Sequence, residues 1–214
     1  LVTALGGAVS STGTTLIAMR RLRDGSASLP VTMLLVQGST LVTLLRLSVL
    51  ILVVSPELAR MLTPVFAVGF VFGAPLAFVD WRRVDRSDSF QPLELQNPVE
   101  LPLALASGAV FALILIAIAW LNVHVGDAGL YLVSVISGLT ALDAVSLSLS
   151  QLVGQQALGV REAAVAVLLA FGSNLLFKLG IVAVVGGKTP LLRTAMAYAL
   201  LSAGLALGWL LLMV

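Results

Sequence analysis

The residues with most chemical capacity are concentrated in Ser137 to Gln151, SGLTALDAVSLSLSQ. One acid, Asp143, stands there among the hydroxyls of Ser137, Thr140, Ser146, Ser148 and Ser150. On an α-helix, residues three or four apart share a face. Thr140, Asp143, Ser146 and Ser150 therefore make one stripe of a carboxylate and alcohols. Oxygen ligands of this type suit hard cations such as Mg²⁺ or Na⁺. A single carboxylate fits a hydrated Mg²⁺ or a monovalent ion better than a dry divalent cage, so Asp143 is the candidate metal ligand. The flanking sequence is apolar, and a charge at the centre of a membrane helix costs about 2.5–3.5 kcal/mol on insertion scales. Chains that accept this cost usually use the group. The competing reading is a buried acid satisfied by neighbouring hydroxyls, with small residues letting helices approach closely.

A second hydroxyl run lies near the start, in Ser10-Ser11-Thr12-Gly13-Thr14-Thr15. Ser11, Thr12 and Thr15 can share a helix face and, with Asp143, Thr140 and Ser146, form the candidate ion-binding set. Gly6-Gly7 and Ser137-Gly138 precede the two runs. They either break the helices into halves, freeing backbone groups to bind an ion, or simply allow tight packing. Arg46 and Lys178 lie within apolar stretches, as gating or anion-facing cations or as snorkelling side chains. Asn174, also mid-helix, joins them as a gating candidate, although hydrogen bonding between helices suits it best. Gln37, Ser39 and Thr40 read similarly. His124 reads as a loop residue and Asp127 as a helix cap.

The elements that must hold these groups are membrane helices. The chain of 214 residues is 59% hydrophobic and only 10% charged, with mean hydropathy +1.11. Soluble domains carry ~25% charged residues. No cysteine is present, which excludes disulfides and thiolate sites. A membrane-spanning helix needs ~20 apolar residues. Seven segments qualify: Leu1–Met19, Val31–Val54, Leu58–Val79, Val99–Asn122, Leu130–Val153, Val160–Val185 and Leu191–Val214. Ser55-Pro56 and Gly186-Gly187 are stop signals, and Pro75 should kink or shorten the third span. The polar stretch Asp80 to Pro98 divides the chain into residues 1–80, a linker 81–98 and residues 99–214. If all seven segments cross, one side carries Arg20, Arg21, Arg23, Arg82, Arg83, Arg86 and Arg161, and the other Arg60, Lys188 and Arg193. The richer side is expected to be cytoplasmic, with the C-terminus on it.

GAVSSTGTTL from Gly7 resembles GLTALDAVSL from Gly138, pairing Thr12 with Asp143 and Thr15 with Ser146. TLLRL from Thr43 faces LLFKL from Leu175, pairing Arg46 with Lys178. Four spans separate the units, so both should run the same way across the membrane. The expected fold is an all-α polytopic bundle of two parallel repeats, with a helix ahead of Leu1 missing from the first.

GGAVSSTGTT with its basic cluster, NPVELPLAL, GDAGLYLVSVISGLTALDAVSLSLSQL and GSNLLFKLG together resemble the C-terminal domain of unknown function in MgtC/SapB-type membrane proteins. The resemblance covers nearly the whole chain. It implies a multi-pass protein of the bacterial inner membrane, preceded by a further helix and an N-terminal MgtC-type module as partner. It carries over Ser10, Ser11, Thr12, Thr14 and Thr15, then Gly138, Thr140, Asp143 and Ser146, then Asn174 and Lys178. The family pattern often has two acids two residues apart. Here the first position is Ala141.

These features favour a transporter or channel for a small ion, Mg²⁺ or another cation, with a polar site between the two repeat motifs. The alternative is a membrane protein that senses an ion or regulates a partner without transport. No enzyme is expected: the common protease sets are missing, a Ser–Lys pair alone staying open, and no nucleotide loop is visible. No cofactor is expected beyond a bound Mg²⁺ or monovalent cation, and no basic cluster of nucleic-acid type is present. Gly69 with Gly73, and Gly204 with Gly208, have GxxxG spacing that suits packing within the chain or a homodimer.

Overall fold

A computed structural model describes residues 11–84, 116 and 127–213. Those residues form the helices α1 (Ser11–Arg23), α2 (Leu29–Val54), α3 (Pro56–Arg83), α4 (Asp127–Gly154), α5 (Val160–Val185) and α6 (Lys188–Met213), with no strand among them. Five helices, α2 to α6, are long and apolar enough to cross a membrane. Twenty-six residues at 1.5 Å each reach about 39 Å, more than the ~30 Å hydrocarbon core. The chain is thus a multi-pass membrane protein. Of the seven expected spans, Leu1–Ser10 of the first and nearly all of Val99–Asn122 lie outside the described residues. So do Gly6, Gly7, Ser10 and His124.

The helix ends follow local chemistry. Ser55 closes α2 and caps α3: its N–H donates to Ile51 O (2.8 Å), and its Oγ accepts from Leu58 N–H (3.4 Å). Pro56 takes the first helical position, where no N–H is needed. α1 ends in a paired 6→1 and 5→2 cap, Ser26 N–H to Arg21 O and Gly25 N–H to Leu22 O, with Gly25 at φ 73°. α4 ends in the same cap, Ala157 N–H to Leu152 O and Gln156 N–H to Val153 O, with Gln156 at φ 59°. α3 continues through Pro64 and Pro75 to Arg83, so Pro75 does not end it. Membrane helices tolerate proline where neighbouring groups satisfy the freed carbonyl.

The fold divides into two compact units. Of the described residues, unit 1 takes those within Leu1–Arg46, Pro64–Glu94 and Lys178–Val214, and unit 2 those within Leu47–Thr63 and Leu95–Phe177. In unit 1, α3 packs on α6 through the two glycine pairs. A Cβ on Gly204 would lie 2.7 Å from Phe72 Cβ, and one on Gly208 2.9 Å from Val65 Cα, so neither position has room for a side chain. Gly73 meets Leu201, and Arg193 reaches Asp80. Small residues let the backbones touch, which replaces the hydrophobic drive that lipid removes. The opposite face of α6 exposes Leu192, Met196, Leu200, Leu207 and Leu210, a surface suited to acyl chains. In unit 2, α4 packs on α5, whose buried side is Ala163, Ala164, Ala166, Val167, Ala170 and Phe171.

These contacts correct the expected direction of the halves. Val65 meets Gly208, Phe72 meets Gly204 and Asp80 meets Arg193, so α3 and α6 run antiparallel. Two parallel repeats would make them run the same way. Sequence similarity pairs helices but carries no direction, which depends on how often the segment between them crosses. The cysteine-free chain gives a clean test. Gly73→Cys with Leu201→Cys should form a disulfide on mild oxidation, since a Cβ on Gly73 would lie 3.4 Å from Leu201 Cγ, the position a cysteine sulfur takes. Phe72→Cys with Leu192→Cys should not.

Candidate functional site

The central feature of unit 2 is a break in α4. Ala141 has φ −123° and ψ 43°, outside the helical region, within an otherwise continuous helix. A helical N–H bonds the carbonyl four residues back. The bonds that must span Ala141 are therefore those accepted by the carbonyls of residues 138, 139 and 140. Asn174 of α5 supplies donors to two of these: its Nδ2 donates to Gly138 O and to Leu139 O, each at 3.1 Å. One amide nitrogen with two hydrogens matches two carbonyls. Asn174 reaches them because Gly138 lies against α5. A Cβ there would be 2.5 Å from Ala170 O and 2.6 Å from Ala170 Cα. Gly138 is thus a packing glycine, and the break itself falls three residues later.

Asp143 follows the break by two residues, and its side chain is half-buried. Ser146, one turn on, is fully buried. Among the described residues, Ser146 Oγ, Ser148 Oγ and Asn174 Oδ1 are buried without a hydrogen-bond partner. Asn174 Oδ1 lies at the break and Ser146 one turn beyond Asp143 on its face, whereas Ser148, two residues after Ser146, points to the other side of the helix. Thr140 is exposed. Ser150 donates to Ser146 O at 2.7 Å. In unit 1, Ser11 and Thr15 are buried and Thr12 half-buried, and Thr15 Oγ1 donates to Ser11 O at 2.9 Å. A hydroxyl that donates back along its helix keeps lone pairs for a cation. No three of His, Cys, Asp and Glu come together among the described residues. Oxygen ligands at the break would thus be one carboxylate, alcohols, an amide and carbonyls.

Unit 1 contains a polar layer of its own. Lys178 is 0% exposed and donates to Thr40 Oγ1 at 3.3 Å. Thr40 Oγ1 also lies 3.2 Å from the hydroxyl of the buried Tyr198 and donates to Val36 O. A fully buried lysine in a membrane helix is costly to place, and Thr40 of α2, itself met by Tyr198 of α6, accepts from it. Arg46 is half-buried.

Residues 1–186 match the family described as a domain of unknown function, DUF4010. The chain belongs to that family. The match covers α1 to α5, including Ala141, Asp143, Asn174 and Lys178, and stops before α6. An uncharacterized protein of Aquifex aeolicus (strain VF5) is 33% identical over 132 residues, 62% of this chain and 56% of that protein. The chain therefore spans little more than half the length of that relative. No solved structure matches.

Three groups of this DUF4010 chain escape a reading of sequence. Asp80 looks like the start of a polar linker, yet it is 5% exposed and accepts from Gln37 Nε2 at 3.1 Å and from Arg193 at 3.4 Å. Arg193 looks like a loop charge. Tyr198 carries no local signal in its apolar helix. Only the interruption of α6 by Thr194 and Tyr198 on its buried stripe hints at a polar partner.

If Asn174 holds the break, its loss leaves buried carbonyls without donors, at about 1–3 kcal/mol for an unsatisfied group. Asn174→Leu in the DUF4010 chain should lower unfolding free energy in mixed micelles by that order. It should also speed amide exchange around residues 138–144. An unchanged exchange pattern there would remove Asn174 as the supporting group.

Proposed function

We propose that the protein moves a small cation, Mg²⁺ or a monovalent ion, across the bacterial inner membrane, using the broken helix α4 as its binding element. The observation that carries this reading is the interruption at Ala141, inside a 28-residue apolar helix, beside the carboxylate of Asp143. Helical backbone is interrupted at membrane depth only where it is buried in protein or lines a cavity. Interrupted helices are also the usual site-forming elements of transporters built from inverted repeats. The fully buried Lys178 adds a second ionisable group of the kind that marks ion pathways.

An internal repeat supports the same reading. Three helix boundaries of the second half lie 131 residues after their counterparts (23 to 154, 29 to 160, 54 to 185), and those of α6 lie within one residue of that offset from α3. Three bonds of the cap after α1, from Asp24, Gly25 and Ser26, match those after α4 at that offset, from Gln155, Gln156 and Ala157. So do the buried stripes of α2 and α5 over most of their length. The offset keeps Thr12 with Asp143 and Thr15 with Ser146. It pairs Lys178 with Leu47, not Arg46. The repeat partner of Ala141 is Ser10, which lies outside the described residues.

With α3 and α6 antiparallel, we infer an inverted rather than a parallel repeat. Each long helix crossing once would then put Arg20, Arg21, Arg23, Arg82, Arg83, Arg86, Lys188 and Arg193 on one side, and Arg60 with Arg161 on the other. This is a sharper asymmetry than seven crossings give. The positive-inside rule makes the richer side cytoplasmic and moves the C-terminus to the opposite face. The resemblance to MgtC/SapB-type proteins adds an MgtC-type module as the partner in the full-length protein.

Liposome flux tests the transport reading. The wild type should conduct Mg²⁺ or a monovalent cation, and Asp143→Asn should reduce that flux by about tenfold or more, a loss of ~1.4 kcal/mol or more in binding or barrier terms. Helix content should stay unchanged. Equal flux in both proteins, or no flux of any tested cation by folded wild type, would contradict it.

A further inference from the structure

Unit 1 has a cavity of about 230 Å³ where the last turns of α3 meet the first turns of α6 and the side of α2. Its polar lining is Gln37, Asp80, Arg83 and Arg193, and its apolar lining includes Val79 and Met196, both exposed at the surface. The volume is well above the ~30 Å³ share of one water and below the ~300–1,000 Å³ of pockets that enclose a drug-sized molecule. It suits a headgroup-sized ligand.

Two observations define what would fit. Two guanidiniums against one carboxylate leave one positive charge in the lining, so the ligand should carry one negative charge. Asp80 already holds Arg193 at 3.4 Å and accepts from Gln37 Nε2 at 3.1 Å. Gln37 is 4% exposed and lines the cavity, and its Oε1 is buried without a partner. A buried acceptor left without a partner beside the cavity favours a ligand that brings a donor. The ligand therefore combines one negative charge with a hydrogen-bond donor.

The position of the cavity says where such a ligand comes from. It sits level with Phe78, Trp81 and Arg82, where the Phe78 and Trp81 rings lie 5.5 Å apart and Arg82 Cζ is 4.9 Å from the Phe78 ring centre. Aromatic and basic residues at a helix end belong at the level of lipid headgroups. The exposed Val79 and Met196 give acyl chains an apolar path away from the cavity. Basic pockets between membrane helices at this depth bind anionic headgroups. We propose that this cavity binds an anionic phospholipid with a hydroxyl headgroup, of the phosphatidylglycerol type. Arg83 and Arg193 hold its phosphate, Gln37 Oε1 accepts from its hydroxyl, and Asp80 positions Arg193 and Gln37. This site is separate from the break in α4, and its test does not depend on transport.

The experiment is native mass spectrometry of the delipidated protein, titrated with phosphatidylglycerol, phosphatidylethanolamine, phosphatidylcholine, phosphatidylmethanol and inorganic phosphate. Phosphatidylglycerol should bind about tenfold tighter than phosphatidylcholine or phosphatidylethanolamine, as expected for charge-assisted hydrogen bonds. Arg83→Gln, which leaves the Asp80–Arg193 pair intact, should lose about that factor. Gln37→Met should bind phosphatidylglycerol no better than phosphatidylmethanol, a phosphodiester without a donor on its head. Equal binding of charged and zwitterionic lipids by wild type, or unchanged affinity in Arg83→Gln, would overturn the proposal. Inorganic phosphate displacing the lipid at equal concentration would overturn the lipid as the source of the anion. Circular dichroism confirms that each variant is folded before its affinity is compared.

Discussion

In a bilayer every backbone amide and carbonyl needs a partner inside the protein, because lipid offers none. The structure of α4 depends on how that requirement is met at one residue. Ala141 leaves the helical conformation, and Asn174 of α5 donates to the carbonyls of residues 138 and 139. Without that amide the break would leave buried acceptors unsatisfied. With it, an irregular backbone can persist beside Asp143 and the buried hydroxyl of Ser146. Gly138 brings the two backbones close enough for a side chain as short as asparagine to serve.

Unit 1 handles its polar groups differently. There the backbone stays helical and side chains satisfy one another. Lys178 is held by Thr40, which also meets Tyr198, and Asp80 is held by Gln37 and Arg193. The glycine pairs of α3 and α6 bring these helices close, so that groups near opposite chain ends of the two helices become neighbours. Close packing and buried polar contacts thus depend on the same small residues. Both are consistent with a membrane interior, where packing and hydrogen bonding must do what the hydrophobic effect does in water.

Much of this was legible from residue order. The long apolar segments placed the ends of α2 to α6 to within four residues, best at α2's end and in α5, where Ser55-Pro56 and Gly186-Gly187 are strong local stops. Gly138 and Asn174 stood out as a glycine and an amide amid aliphatic neighbours. Direction was not legible: the antiparallel run of α3 and α6 is a property of the path between them, not of either helix. The place of the break was not legible either, since alanine is the best helix former and gives no warning. Gly138 looked like the breaker but serves close packing. Asp80 was hidden by its sequence neighbours Trp81, Arg82 and Arg83, which make it read as the edge of a linker. Its partners come from α2 and α6, and no local pattern reports them.

The central claim is that the interruption in α4 faces water that ions can share. Substituted-cysteine labelling at Ala141 tests it most directly, because the chain has no other thiol. In intact membrane vesicles, Ala141→Cys should react with a small membrane-impermeant thiol reagent, and a saturating transported cation should slow that reaction. A thiol that stays unreactive in membranes, and reacts only after the protein is unfolded, would mean that the break is a sealed packing feature and would contradict the account.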